Sequence, residues 1–116
     1  MPAEDFSLRD VDDVLVIQVN LNNLLGVIEV NRMGGKLDEL LKDQPRKVAL
    51  DLSKVRYAGS AALGLLLSLS KSLQQRGGRL ILCGTQHLDT LFKVSRTVAV
   101  FEVAPTADAA VQLLQK

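Results

Sequence analysis

The chain has 116 residues, with 14 Lys+Arg against 13 Asp+Glu and a formal net charge of +1. Apolar residues make up 47% and charged residues 23%. One hydrophobic core is therefore expected, in a single domain over 1–116. The near-neutral balance speaks against a nucleic-acid binder, which needs excess cations on one face, and against disorder. Cys83 and His87 are each the only residue of their type. An intrachain disulfide is impossible, and a Cys-based zinc site lacks ligands. No metal and no cofactor are expected. Met1–Asp5 has no basic segment leading into an apolar run, so no secretory leader is expected. The apolar stretch Ala58–Ser70 falls short of the roughly 20 residues a membrane span needs. These features point to a cytoplasmic, reduced setting without direct membrane insertion. Aromatic residues are 3% of the chain, with no Trp. A base-stacking platform has little to build on.

Phe6 and Leu8 alternate with polar neighbours, and Arg9–Asp13 reads as a turn. Val14–Leu21 reads as a strand, with Leu15, Ile17, Val19 and Leu21 on one face and Val14 and Val16 on the other. The pair suggests an antiparallel hairpin. Asn20, Asn22 and Asn23 mark a loop. Val30, Met33, Leu37, Leu40 and Leu41 recur at helical spacing across Gly34-Gly35, and Gln44-Pro45 disfavours continuation. Val48–Leu52 is the next strand.

Ser53-Lys54 turns, and a helix is predicted from Ser60. Its core face is Ala62, Leu65, Leu66, Leu69 and Leu73, and Arg76-Gly77-Gly78 ends it. Leu80–Cys83 reads as a strand buried on both faces. Gly84-Thr85 leads into a short helix with Leu88, Leu91 and Phe92 inward. Val98–Val103 reads as a last strand. Pro105-Thr106 opens a final helix, with Thr106 as N-cap and Ala110, Val111 and Leu114 apolar. The order ββαβαβαβα implies an α/β fold with a mixed sheet, helices making the crossovers between parallel strands.

In such sheets, binding groups gather at the carboxyl ends of the strands. That places the Asn20–Asn23 loop, the Tyr57–Ser60 loop and the Gly84-Thr85 turn near one another. Ser60 stands at a helix start, where unpaired N–H groups and about half a positive charge favour an anion. Its hydroxyl has two readings: a helix cap, or the acceptor of a phosphate. Leu63 and Leu67 lie one turn apart beside the core face. They either touch a partner or fit under a neighbouring helix.

The stretch from Val48 through Asp51-Leu52-Ser53 and Tyr57-Ala58-Gly59-Ser60-Ala61-Ala62-Leu63-Gly64 to Leu66 resembles the signature of STAS domains. This family comprises the bacterial anti-sigma-factor antagonists and their relatives, including cytoplasmic domains of sulphate transporters. Arg79–Gly84, Leu88–Val94 and Phe101–Leu114 are similar to its later strand, short helix and closing strand and helix. The resemblance covers the chain from about Phe6 to Leu114. It implies a STAS-like mixed sheet and a non-enzymatic regulator that acts by binding proteins.

The family's phosphorylatable Ser or Thr falls on Ser60. The implied partner is an anti-sigma factor with serine-kinase activity, or another signalling protein; self-association is also open. The implied contact surface takes in Asn22, Asn23, Tyr57, Gly59, Ser60, Leu63, Leu67 and Thr85. Two stretches depart from the family pattern. Gly59 replaces the acidic residue before the acceptor and Ala61-Ala62 the Ser-Gly after it, and Asn20–Leu24 carries no carboxylate. These departures suit the alternative, a phosphorylation-independent scaffold in a signalling assembly or transporter complex.

Enzyme readings fit less well. Ala58 and Ala62 stand where a nucleophile elbow needs glycines. Asp89 is two residues from His87 and points elsewhere on a helix. No phosphate-binding glycine loop is present. Cys83 reads as packing, and Asp51 as a structural hydrogen-bonding residue near its turn.

Overall fold

A computed structural model describes residues 5–42, 47–96 and 100–115. Strand β1 (Phe6–Val11) and β2 (Val14–Val19) form the expected hairpin, in register from Phe6 opposite Val19 to Val11 opposite Val14. Its turn is tighter than Arg9–Asp13. Only Asp12 and Asp13 lie outside the strands, and Asp12 takes φ +56°. Aspartate tolerates that left-handed conformation better than most side chains. Lys47 closes on Asp13 at 3.0 Å beside this turn.

The remaining elements are β3 (Asn23–Leu24), α1 (Val27–Leu41), β4 (Lys47–Asp51), β5 (Tyr57–Ala58) and α2 (Ser60–Gln75). After them come β6 (Arg79–Cys83), a single 3-10 turn (Gln86–Leu88), α3 (Asp89–Val94), β7 (Val103–Ala104) and α4 (Ala107–Leu114). Among the described residues the main sheet runs β1-β2-β4-β6-β7, with β1 antiparallel to β2 and every other neighbouring pair parallel. The expected Val98–Val103 strand is corrected: Val100 to Glu102 are not strand, and β7 is a two-residue pairing of Val103 and Ala104 with Leu82 and Cys83. Positions 97–99 lie outside the described residues, as does Gln44-Pro45.

The period-two pattern of β2 divides the core as read. Leu15, Ile17 and Val19 join Leu50, Leu80 and Leu82 beneath α1 and α2. Val14 and Val16 join Ala49, Ile81 and Cys83 beneath Ala110, Val111 and Leu114 of α4. β4 and β6 are buried on both faces, which is why they lack polar alternation.

α1 buries Val30, Met33, Gly34, Leu37 and Leu41, whereas Leu40 is exposed. Gly34 is where α1 meets α2. A Cβ there would stand 2.9 Å from Leu65 Cδ1, a contact closer than packed atoms tolerate. α2 ends in a left-handed Gly77 (φ +79°), with Gly77 N–H donating to Gln74 O at 3.1 Å and Gly78 N–H to Leu73 O at 2.7 Å. This is the Schellman arrangement, in which glycine avoids the Cβ penalty. Arg76 then ties the two helices together, its guanidinium donating to Leu41 O at 2.6 Å and Ser72 Oγ at 3.1 Å.

Candidate functional site

The site is built at the carboxyl ends of β2, β4 and β6, where three loops meet. The Asn20–Asn23 segment is more ordered than a loop. Asn23 Oδ1 accepts from Leu25 N at 2.7 Å, and Asn23 and Leu24 pair in parallel with Tyr57 and Ala58. Asn22 O accepts from Arg56 N at 2.8 Å. Two-residue strands are too short for any periodicity to show, so the sequence did not reveal this second small sheet. The 3-10 turn after Thr85 packs against β5 and completes the cluster.

Gly59 is the N-cap residue of α2 and Ser60 its first helical residue. The capping role for the Ser60 hydroxyl is therefore corrected, since no side chain caps this helix. Gly59 is extended (φ −122°, ψ −168°) and its carbonyl accepts from Leu63 N at 3.2 Å. The N–H groups of Ser60, Ala61 and Ala62 have no intrahelical acceptor. Ser60 is exposed, and among the described residues its hydroxyl takes part in no hydrogen bond. His87 is also exposed, with no hydrogen bond to Ser60.

Tyr57 is 58% exposed, and Asn22 and Asn23 are exposed beside it, while Gly59 is half-buried. Two expected contact residues are not at the surface. Leu63 is only 7% exposed and belongs to the core, whereas Leu67 is 37% exposed. Leu63 takes the core place expected of Leu65, and Leu65 packs half-buried on Gly34. Thr85 is 5% exposed and also leaves the surface set. Gly84 (φ +66°) turns the chain inward before it, so close that a Cβ would stand 2.8 Å from Asp51 Oδ1 and from Ser53 N.

The sequence reading missed an apolar rim. Leu25, Val27 and Ile28 are exposed between β3 and the first turn of α1, Ile28 by 81%. Leu25 Cδ2 lies 3.7 Å from where a Gly59 Cβ would stand, which puts it against the Ser60 loop. The available signal was Leu24-Leu25 followed by Val27-Ile28, four apolar residues that no single helix or strand face can bury.

Asp51 has the structural role expected, its Oδ1 accepting from Ser53 N at 2.9 Å. The Cys83 thiol is fully buried and pushed up to about 12, chiefly by burial and secondarily by the Asp51 charge. A thiol held protonated in this way is a poor nucleophile. Among the described residues no group of three His, Cys, Asp or Glu side chains is placed to hold a metal ion.

An exposed serine at an uncapped helix start, on a mixed sheet of this order, defines a class. The STAS domain pattern matches residues 6–110, and the chain belongs to that family. It is 38% identical over 105 residues, 90% of this chain and 89% of the relative, to a Bordetella bronchiseptica protein, BtrV, named as an anti-sigma factor antagonist. Its fold is similar to that of a Thermotoga maritima protein described as an anti-sigma factor antagonist (TM-score 0.81, 20% identity, 96% of this chain and 95% of that one). It is also similar to the anti-sigma factor antagonist SpoIIAA in its unphosphorylated form (TM-score 0.70, 20% identity, 95% of this chain and 97% of that one). The chain is an anti-sigma factor antagonist-like STAS protein. Among the described residues no helix is long and apolar enough to cross a membrane.

Proposed function

We propose that this protein works in the cytoplasm as a single-domain binding switch, holding an anti-sigma factor with serine-kinase activity and releasing it when Ser60 is phosphorylated. The uncommitted Ser60 hydroxyl, exposed at the start of α2 beside Leu25 and Tyr57, carries this reading. The partner covers Asn22, Asn23, Tyr57, Gly59 and Ser60, with Leu67 farther along the same helix.

The physics of the switch is asymmetric. A phosphate adds roughly −1.5 to −2 charges. At the start of α2 it meets free N–H groups and the positive end of the helix dipole, which favour it by about 0.3–1 kcal/mol. The domain stays folded. A partner seated over the same atoms must instead strip that charge of water, and an unpaired buried charge costs several kcal/mol. About 1.4 kcal/mol is tenfold in affinity, so the interface loses far more than the fold gains.

The test is affinity capture of the chain from its native cytosol, mass spectrometry of the Ser60 peptide, and titration of the captured kinase-type partner against wild type and Ser60→Asp. The expected result is a phosphopeptide and a loss of affinity of at least ~100-fold for Ser60→Asp, from the charge burial above. Equal affinity of the two proteins would overturn the switch. A second reading rests on Gly59 and the carboxylate-free Asn20–Leu24 stretch: the domain is a scaffold whose partner ignores Ser60. Capture of a partner with an unmodified Ser60 peptide and no Ser60→Asp effect would select it.

A further inference from the structure

The sheet face under α4 is not fully covered. Strand register sets Ser7, Gln18, Asp51 and Cys83 in one row across β1, β2, β4 and β6, and Arg9, Val16, Ala49 and Ile81 in the next. α4 covers Ala49, Ile81, Cys83 and Val16. The β1 side stays open as a groove of about 370 Å³ lined by Ser7, Leu8, Arg9, Val16, Gln18 and Asp51. It lies toward the carboxyl ends of β2 and β4, where open α/β sheets bind ligands.

Charges of opposite sign face this groove and do not pair with each other. Among the described residues neither Arg9 nor Asp51 takes part in an ion pair, and the Arg9 guanidinium makes no hydrogen bond. Gln18 Nε2 donates to Asp51 Oδ2 at 3.5 Å, a long contact that leaves acceptor capacity on the carboxylate. Asn20 Nδ2 donates to Ser7 Oγ at 2.9 Å, so the Ser7 O–H remains able to donate. Two strand spacings and a two-residue offset separate the Arg9 and Asp51 Cα atoms by roughly 12 Å. Both residues line the groove, and the gap between them accommodates one small molecule.

We propose that this groove binds a small zwitterion of the free amino acid class, its carboxylate held by Arg9 and Ser7 and its ammonium by Asp51. The site shares no residue with the Ser60 surface and stands or falls independently of the switch.

The test is an amide-resolved NMR titration of the full chain with L-alanine, n-propylamine and propionate up to about 10 mM, since an open two-ended site points to a Kd near the millimolar range. L-alanine is expected to shift the Ser7, Arg9, Gln18 and Asp51 amides saturably, at least tenfold more tightly than either single-charge probe. Arg9→Gln, on an exposed edge strand, should keep the fold and weaken L-alanine at least tenfold, and Asp51→Asn should do the same if its turn survives. The proposal is overturned if L-alanine gives no saturable shift, if Arg9→Gln binds it unchanged, or if a single-charge probe binds as well.

Discussion

The starts of α2 and α4 solve the same problem in opposite ways. At α4, Thr106 is the N-cap and its Oγ1 accepts from Ala109 N at 3.1 Å. At α2, glycine occupies the cap and the serine one place later keeps its hydroxyl free. α4 has 8 residues and one buried stripe, Ala110, Val111 and Leu114. α2 has 16 and sinks Ala62 and Leu63 into the core within its first turn. A long helix pinned by its apolar face can leave its first N–H groups and a hydroxyl uncommitted. A short one benefits from its own cap. The chemistry available at each end follows from that difference.

The sharpest probe of this contrast removes the pin. Leu63→Ala should destabilise the protein by about 2–5 kcal/mol in urea unfolding, as core truncations do. Leu67→Ala, four residues on but at the surface, should cost no more than about 1 kcal/mol. Comparable losses would show that the start of α2 is not held by its core face. Thr106→Ala should cost about 1 kcal/mol by loss of the cap. Ser60→Ala should stay within about 0.5 kcal/mol of wild type, because no folded-state hydrogen bond is lost. If the two hydroxyl deletions cost the same, the distinction between the helix starts fails. Smallest of all, Gly59→Ser should stabilise by about 0.3 kcal/mol, serine being slightly the better cap. The backbone there is extended, and the nearest neighbour of a new Cβ is Leu25 Cδ2 at 3.7 Å, an ordinary contact.

The same two ends show what sequence can reveal. Thr106 was legible because Pro-Thr-Ala-Asp announces a cap with local chemistry alone. The Ser60 helix was placed correctly, but serine's high frequency at caps hid that Gly59 fills that position. On α2, Leu63, Leu65, Leu66 and Leu67 surround the helix, so spacing alone could not say which leucine meets the sheet and which meets Gly34. That choice belongs to tertiary packing. β3 and β5 were invisible because their pairing is set by the meeting of two loops distant in sequence. The hairpin, the parallel crossovers and the division of β2 between two core layers were legible, because alternation over six residues and helices between strands are local patterns.

The pairing of β3 with β5 also has a mechanical consequence. The segment that opens α1 and the one that delivers Ser60 are joined by backbone hydrogen bonds, Arg56 N–H to Asn22 O among them. A visitor gripping the Leu25–Ile28 rim therefore pulls on the same tether that carries the serine, and a push at either place is felt at the other.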